Sequence, residues 1–105
     1  MIIDAHTHFV PPAFVADARV GRALDYVRVQ RRENMEWLVH PQGYRYPLSP
    51  EFFDVEARIR QMDGHGIDVS ILSLAPTLFF YWLDSLAAAD FCRQANDSLA
   101  AFVAT

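Results

Sequence analysis

The feature that most constrains this chain is its opening, Met1-Ile2-Ile3-Asp4-Ala5-His6-Thr7-His8-Phe9, followed at once by Val10-Pro11-Pro12. It reads as a short buried strand that carries two histidines two residues apart and is stopped by the prolines. Side chains alternate across a strand, so Ile2, Asp4, His6 and His8 are expected on one face and Ile3, Ala5, Thr7 and Phe9 on the other. The two imidazoles then start roughly 6.5–7 Å apart, close enough for their nitrogens to meet one ion at about 2.0–2.1 Å each. An arbitrary His-x-His is more often a half-exposed pair at a strand end. The apolar lead-in and the proline stop favour the other reading, in which His6 and His8 are metal ligands.

Further along, the hydrophobic period changes twice. Pro11-Pro12 is tolerated in a first helical turn, and Phe14, Val15, Ala18 and Gly21 suggest a short helix ending near Gly21. Residues 26–47 alternate and are rich in β-branched and aromatic side chains between turn residues, as in a small antiparallel meander. Asp54 is a good N-cap, and Val55, Ile59 and Met62 recur at helical spacing until Gly64-His65-Gly66, which predicts a helix over 54–63. Residues 69–75 are almost continuously apolar between Gly66 and Pro76, the signature of a strand covered on both faces. After Thr77–Trp82, Asp84 or Ser85 caps a second long helix. Its buried stripe is expected at Ala88, Cys92, Ala95, Leu99, Phe102 and Val103.

The order strand, insertion, helix, strand, helix is a parallel βαβα unit of the α/β class, with a small antiparallel β insertion (10–53) after strand one, and is expected to form the N-terminal portion of an eight-stranded TIM-like barrel. Two parallel strands cannot cover both of their own faces, so residues 1–105 are read as one incomplete barrel domain, the opening quarter of something larger.

Composition narrows the partners. A 52% hydrophobic fraction excludes disorder, and no apolar run is long enough to span a membrane. The net charge of −4 argues against nucleic acid or an anionic membrane surface. One cysteine, Cys92, makes no internal disulfide; with no export signal this fits the cytoplasm, and Cys92 is expected to pack in the core. All nine basic residues are arginines, which excludes a lysine Schiff base or a carboxylated-lysine metal bridge within these residues. Six of them, Arg19, Arg22, Arg28, Arg31, Arg32 and Arg45, fall in one segment that either receives an acidic substrate or is simply solvated.

In a barrel of this kind, chemistry sits at the carboxyl ends of the strands and in the loops after them. His6 and His8 lie at such an end, as do residues 75–82 and the insertion, which is far longer than the usual two to six residues and is expected to lid or line a pocket. His65 lies at the opposite end as a helix C-terminal residue. Asp4 is expected either to orient a ligand or to hydrogen-bond in the barrel floor, and His40 to be a surface residue beside Pro41. Trp37, Tyr44 and Tyr46 read as the meander's own small core. Phe80, Tyr81 and Trp82 either stack on a flat substrate or pack under the insertion. No nucleophile elbow or phosphate-cradling glycine loop is present.

The opening Ile3-Asp4-Ala5-His6-Thr7-His8 resembles the strand-one signature of the metal-dependent amidohydrolase superfamily. Its continuation Phe9-Val10-Pro11-Pro12, the stretch Asp54–Asp63, Gly66-Ile67-Asp68-Val69 and Phe80-Tyr81-Trp82 resemble the branch that includes aminocarboxymuconate-semialdehyde decarboxylase. The resemblance implies that His6 and His8 ligate one divalent ion, usually zinc, and that Arg45 contacts a substrate carboxylate. It also implies that the remaining ligand and catalytic residues come from later strands absent here.

The expected function is therefore the N-terminal part of a metal-dependent decarboxylase of small unsaturated or aromatic carboxylates. His6 and His8 would hold the metal, Arg45 and Trp82 would meet the substrate, the enzyme would assemble as a homo-oligomer, and these 105 residues alone would not turn over. The alternatives are a hydrolase of an ester, lactone or amide in the same superfamily, and a non-enzymatic α/β module that buries its sheet edges by oligomerising. Metal content separates the last from the first two.

Overall fold

A computed structural model describes all 105 residues. The chain runs β1 (Ile3–Phe9), α1 (Pro12–Arg19), β2 (Arg28–Arg32), β3 (Met35–Val39), β4 (Arg45–Leu48), α2 (Val55–His65), β5 (Val69–Leu74) and α3 (Ser85–Val103). β1 and β5 form a parallel pair, and β2-β3-β4 form a separate antiparallel sheet. The expected βαβα order, the insertion and its meander are all present.

Local chemistry accounts for the element ends. The Asp54 carboxylate accepts from the Glu56 amide at 3.0 Å and caps α2, and Asp84 does the same for Leu86 and Ala87 at the start of α3. Gly66 ends α2 at φ +66°, a left-handed conformation that glycine adopts without steric cost, and the Ile67 amide reaches back to the Met62 carbonyl at 2.9 Å. The β2–β3 hairpin turns on Glu33 and Asn34, both at positive φ, as a two-residue turn requires if it is to match the strands' twist.

The β1–β5 register contains an irregularity that changes which side chains share a face. Ile3 pairs with Val69 and Asp4 with Ser70, but Thr7, His8 and Phe9 pair with Leu72, Ser73 and Leu74. Ala5 and His6 together therefore oppose Ile71, a β-bulge in β1. Strict alternation put Asp4 beside the histidines; the extra residue instead puts Asp4 with Thr7, Phe9, Ser70, Leu72 and Leu74, while His8 shares a face with Ile3, Val69, Ile71 and Ser73.

Burial follows this division. On the first face Phe9 is fully buried and the others are half-buried, with Phe9 edge-on to Phe102 of α3 at 5.0 Å. On the second, Ile3 and Ile71 are each 54% exposed. The apolar run 69–75 is thus covered on one face only, because two strands and their helices supply one layer of cover within these residues.

The main core lies beside the parallel pair. Val10, Phe14, Val15, Ala18, Val27, Leu38 and Leu48 from the insertion meet Ala75, Leu78, Phe80, Phe91 and Ala95 from the loop after β5 and from α3. In α3 the inward positions are Phe91, Ala95 and Phe102, so Cys92, expected inside, is exposed, and Val103 is as well. In α2 the buried residue is Arg58, and Ile59 is half exposed. Leu38 and Leu48, rather than Trp37 and Tyr44, bury the meander's inner face; Tyr46 joins them half-buried against Phe52.

Phe80 concentrates the strain and the packing of this core. It sits at φ +49°, where a side chain costs about 1–3 kcal/mol, and is 2% exposed among Phe14, Phe91, His40 and Trp82. Replacing Phe80 with alanine, which keeps the Cβ and so relieves none of that strain, is expected to cost about 3–5 kcal/mol, measured as a fall in the urea midpoint. Asp54→Ala should cost about 1 kcal/mol by the same measurement.

Candidate metal and substrate site

β1 delivers both histidines to the open face at the carboxyl end of the parallel pair. The bulge is held by the Asp4 carboxylate, which accepts from the His6 amide at 3.2 Å. The His6 and His8 rings lie 5.0 Å apart between centroids, inclined at 80°. Two imidazoles bound to one tetrahedral zinc at about 2.0–2.1 Å place their centroids about 5 Å apart, so the observed spacing fits a shared ion. His6 is exposed, and the Nδ1 of His8 is buried without a hydrogen-bond partner. No group of three or more His, Cys, Asp or Glu side chains converges anywhere in the chain. Two imidazoles fit part of a catalytic zinc set, which normally has three protein ligands and an open position.

The loop after β5 lies at the same end of the sheet and is tied to the insertion at two points. Trp82 donates from Nε1 to the Asp25 carboxylate at 2.9 Å, and the Gln42 side-chain amide donates to the same carboxylate at 3.3 Å. The Trp82 ring also meets Phe80 edge-on at 5.8 Å and remains 49% exposed, so it packs under the insertion while keeping one face to solvent.

The second tie is His40, which corrects the surface placement expected for it. It is 1% exposed, shares a hydrogen bond through Nε2 with the Thr77 hydroxyl, and stacks on Tyr44 at 4.4 Å. The β3–β4 turn folds this residue inward: the His40 amide donates to the Tyr44 carbonyl and the Gly43 amide to the His40 carbonyl. Neither His40 nor Asp25 had a sequence signal, because their partners Thr77 and Trp82 are distant in the chain.

Arg45 opens β4 on the outer face of the meander, opposite Val39, and lines a hollow with Arg32, Glu33, Met35 and Trp37. No hydrogen bond, ion pair or ring contact joins Arg45 or Trp82 to the two histidines. Of the six arginines of this segment, Arg19 is committed elsewhere: it grips Glu36 through two bonds of 3.0 and 2.6 Å, which raises its own pKa and lowers that of Glu36, and lies over the Phe53 ring at 5.4 Å. His65 donates from Nδ1 to the Gln61 carbonyl at the far end of the sheet, as expected.

The fold is that of the N-terminal βαβα portion of a TIM-like barrel, with an antiparallel insertion after strand one. The sequence is similar to 2-amino-3-carboxymuconate-6-semialdehyde decarboxylase: 28% identity over 100 residues with that of Caenorhabditis elegans and 24% over 102 residues with that of Dictyostelium discoideum. These matches cover 94% and 96% of this chain, which spans about a quarter of each relative (25% and 28%). No family model matches. The fold is shared with the apo crystal structure of Metarhizium anisopliae IDCase at TM-score 0.70 and 23% identity, over 97% of this chain and 31% of that one.

Burial lowers the His40 pKa below its ordinary value, with the Asp25 charge opposing, so folding favours the neutral imidazole. The unfolded chain binds that proton near pH 6.5 and the folded chain does so only at lower pH, so His40 destabilises the fold progressively as pH falls below about 6.5. Urea midpoints at pH 7.5 and 5.5 should therefore diverge more in the parent chain than in His40→Gln.

Proposed function

We propose that the chain supplies the strand-one metal ligands and part of the substrate pocket of a metal-dependent decarboxylase acting on small unsaturated or aromatic carboxylates. The observation that carries this reading is the His6–His8 pair, spaced for one ion on the open face at the carboxyl end of a parallel strand. The two relatives named as decarboxylases favour loss of carbon dioxide over hydrolysis.

His6 and His8 would hold the ion through neutral imidazole nitrogens. A divalent metal there, with zinc the expected occupant, would supply Lewis-acid polarisation of a bound oxygen. Arg45 offers a fork of donors for two-point contact with a carboxylate, and the exposed half of Trp82 offers an apolar surface for a flat substrate. For either to act on a substrate held at the histidines, that substrate must span from the open face of β1 to the insertion. The insertion, residues 10–53, would form a wall of the pocket within one barrel domain of a cytoplasmic homo-oligomer.

The reading predicts that the purified chain binds Zn2+ through two imidazoles and that His6→Ala or His8→Ala removes most of that binding, measured by titration against a chromogenic chelator. A folded parent that takes up no zinc at all would end the metalloenzyme reading. Carbon dioxide release against net acid release, measured on the longest product of this reading frame, separates decarboxylase from hydrolase.

A further inference from the structure

Arg58 is the most deeply buried charged side chain and has no carboxylate partner. It is 4% exposed and forms no ion pair, its Nε is buried without an acceptor, and burial lowers its pKa while the charges of Glu51 and Asp4 oppose that only through space. An unpaired buried cation costs several kcal/mol, so the two hydrogen bonds it does make call for an account. Nη1 donates to the Thr7 hydroxyl at 2.8 Å and Nη2 to the His8 carbonyl at 2.7 Å. Both acceptors belong to the three-residue segment that carries the two histidines.

The strand's own pairing shows why this segment needs an outside anchor. The Phe9 carbonyl accepts from the Ala75 amide at 2.9 Å and the Thr7 carbonyl from the Ser73 hydroxyl at 3.3 Å, so both point toward β5. Successive carbonyls of a strand point to opposite edges, so that of His8 points to the edge β5 does not occupy. Just before it, the bulge at Ala5 and His6 interrupts the ladder. Arg58 reaches from α2 to a backbone acceptor there that the sheet leaves unpaired, and its second arm fixes the intervening threonine.

We infer that Arg58 is a positioning residue for the His6–His8 pair: one guanidinium, bonded to Thr7 and to the His8 carbonyl, locks the bulged end of β1 so that both rings keep the separation a shared metal ion requires. The inference rests on the metal reading for the ion, though not for the locking itself. A rigid planar fork suits two acceptors at different angles, whereas a lysine ammonium would serve them poorly.

The test uses the 105-residue chain with Zn2+ alone as probe, and compares the parent with Arg58→Met, Arg58→Lys and Thr7→Val. Two quantities are read: Zn2+ affinity by chelator competition, and hydrogen-exchange protection of the residue 6–9 amides in the metal-free protein, with the β2–β4 amides as internal reference. Arg58→Met should weaken Zn2+ binding about 10-fold or more and lower protection of residues 6–9 selectively, with Arg58→Lys restoring part of both and Thr7→Val showing a smaller loss of both. Parent-like affinity and protection in a folded Arg58→Met overturns the inference, and so, should Arg58→Met not fold, does parent-like behaviour of Thr7→Val. A parent that binds no Zn2+ defeats the metal reading while the exchange data still decide whether Arg58 locks the strand.

Discussion

The parallel pairing of β1 with β5, interrupted by one extra residue, is the constraint from which the rest of the arrangement follows. Parallel strands put their carboxyl ends together, so the His6–His8 segment and the aromatic loop after β5 emerge on the same side of the molecule. The extra residue then sorts side chains: Thr7 and Phe9 go under the helices, and the histidines remain on the open face. Bulges recur beside functional sites because the extra residue re-aims side chains where the strand bends. Here the bulge keeps two imidazoles on the open face while Asp4 moves to the covered one, its carboxylate bonded back to the His6 amide.

Much of the fold was legible before any coordinates. The helix capped by Asp54, which runs two residues past its expected end to His65, the second strand, the capped third helix and the meander follow from hydrophobic period and punctuation, which depend on near neighbours in sequence. Register does not. Nothing in Ile3-Asp4-Ala5-His6-Thr7-His8 announces a bulge, because the extra residue is defined only against Ile71, on a strand that begins at Val69. Helix α3 illustrates the same limit: Ala95 and Phe102 of the expected stripe are buried, but the stripe is turned toward Phe91 and away from Cys92 and Val103, and only the position of Phe9 and Phe14 sets that rotation.

The candidate site was legible to the extent that it is local. Two histidines in one strand reveal themselves by spacing, and their ring centroids lie 5.0 Å apart. His40, Asp25 and Arg58 gave no such sign. Each draws its significance from a partner more than thirty residues away, Thr77, Trp82 and the Thr7–His8 segment respectively. A histidine beside a proline in a turn is ordinarily solvated, and only the inward fold of the β3–β4 turn places this one against Thr77.

Seven members of the twelve-residue core cluster come from between β1 and α2, and this has a mechanical consequence. A segment that merely draped over a pocket could swing away on a hinge while the body stayed intact. Here, peeling back the crossover would strip the shared core from Phe80, Phe91 and Ala95, so its opening free energy approaches that of unfolding the whole domain. The crossover therefore behaves as a masonry wall rather than a door.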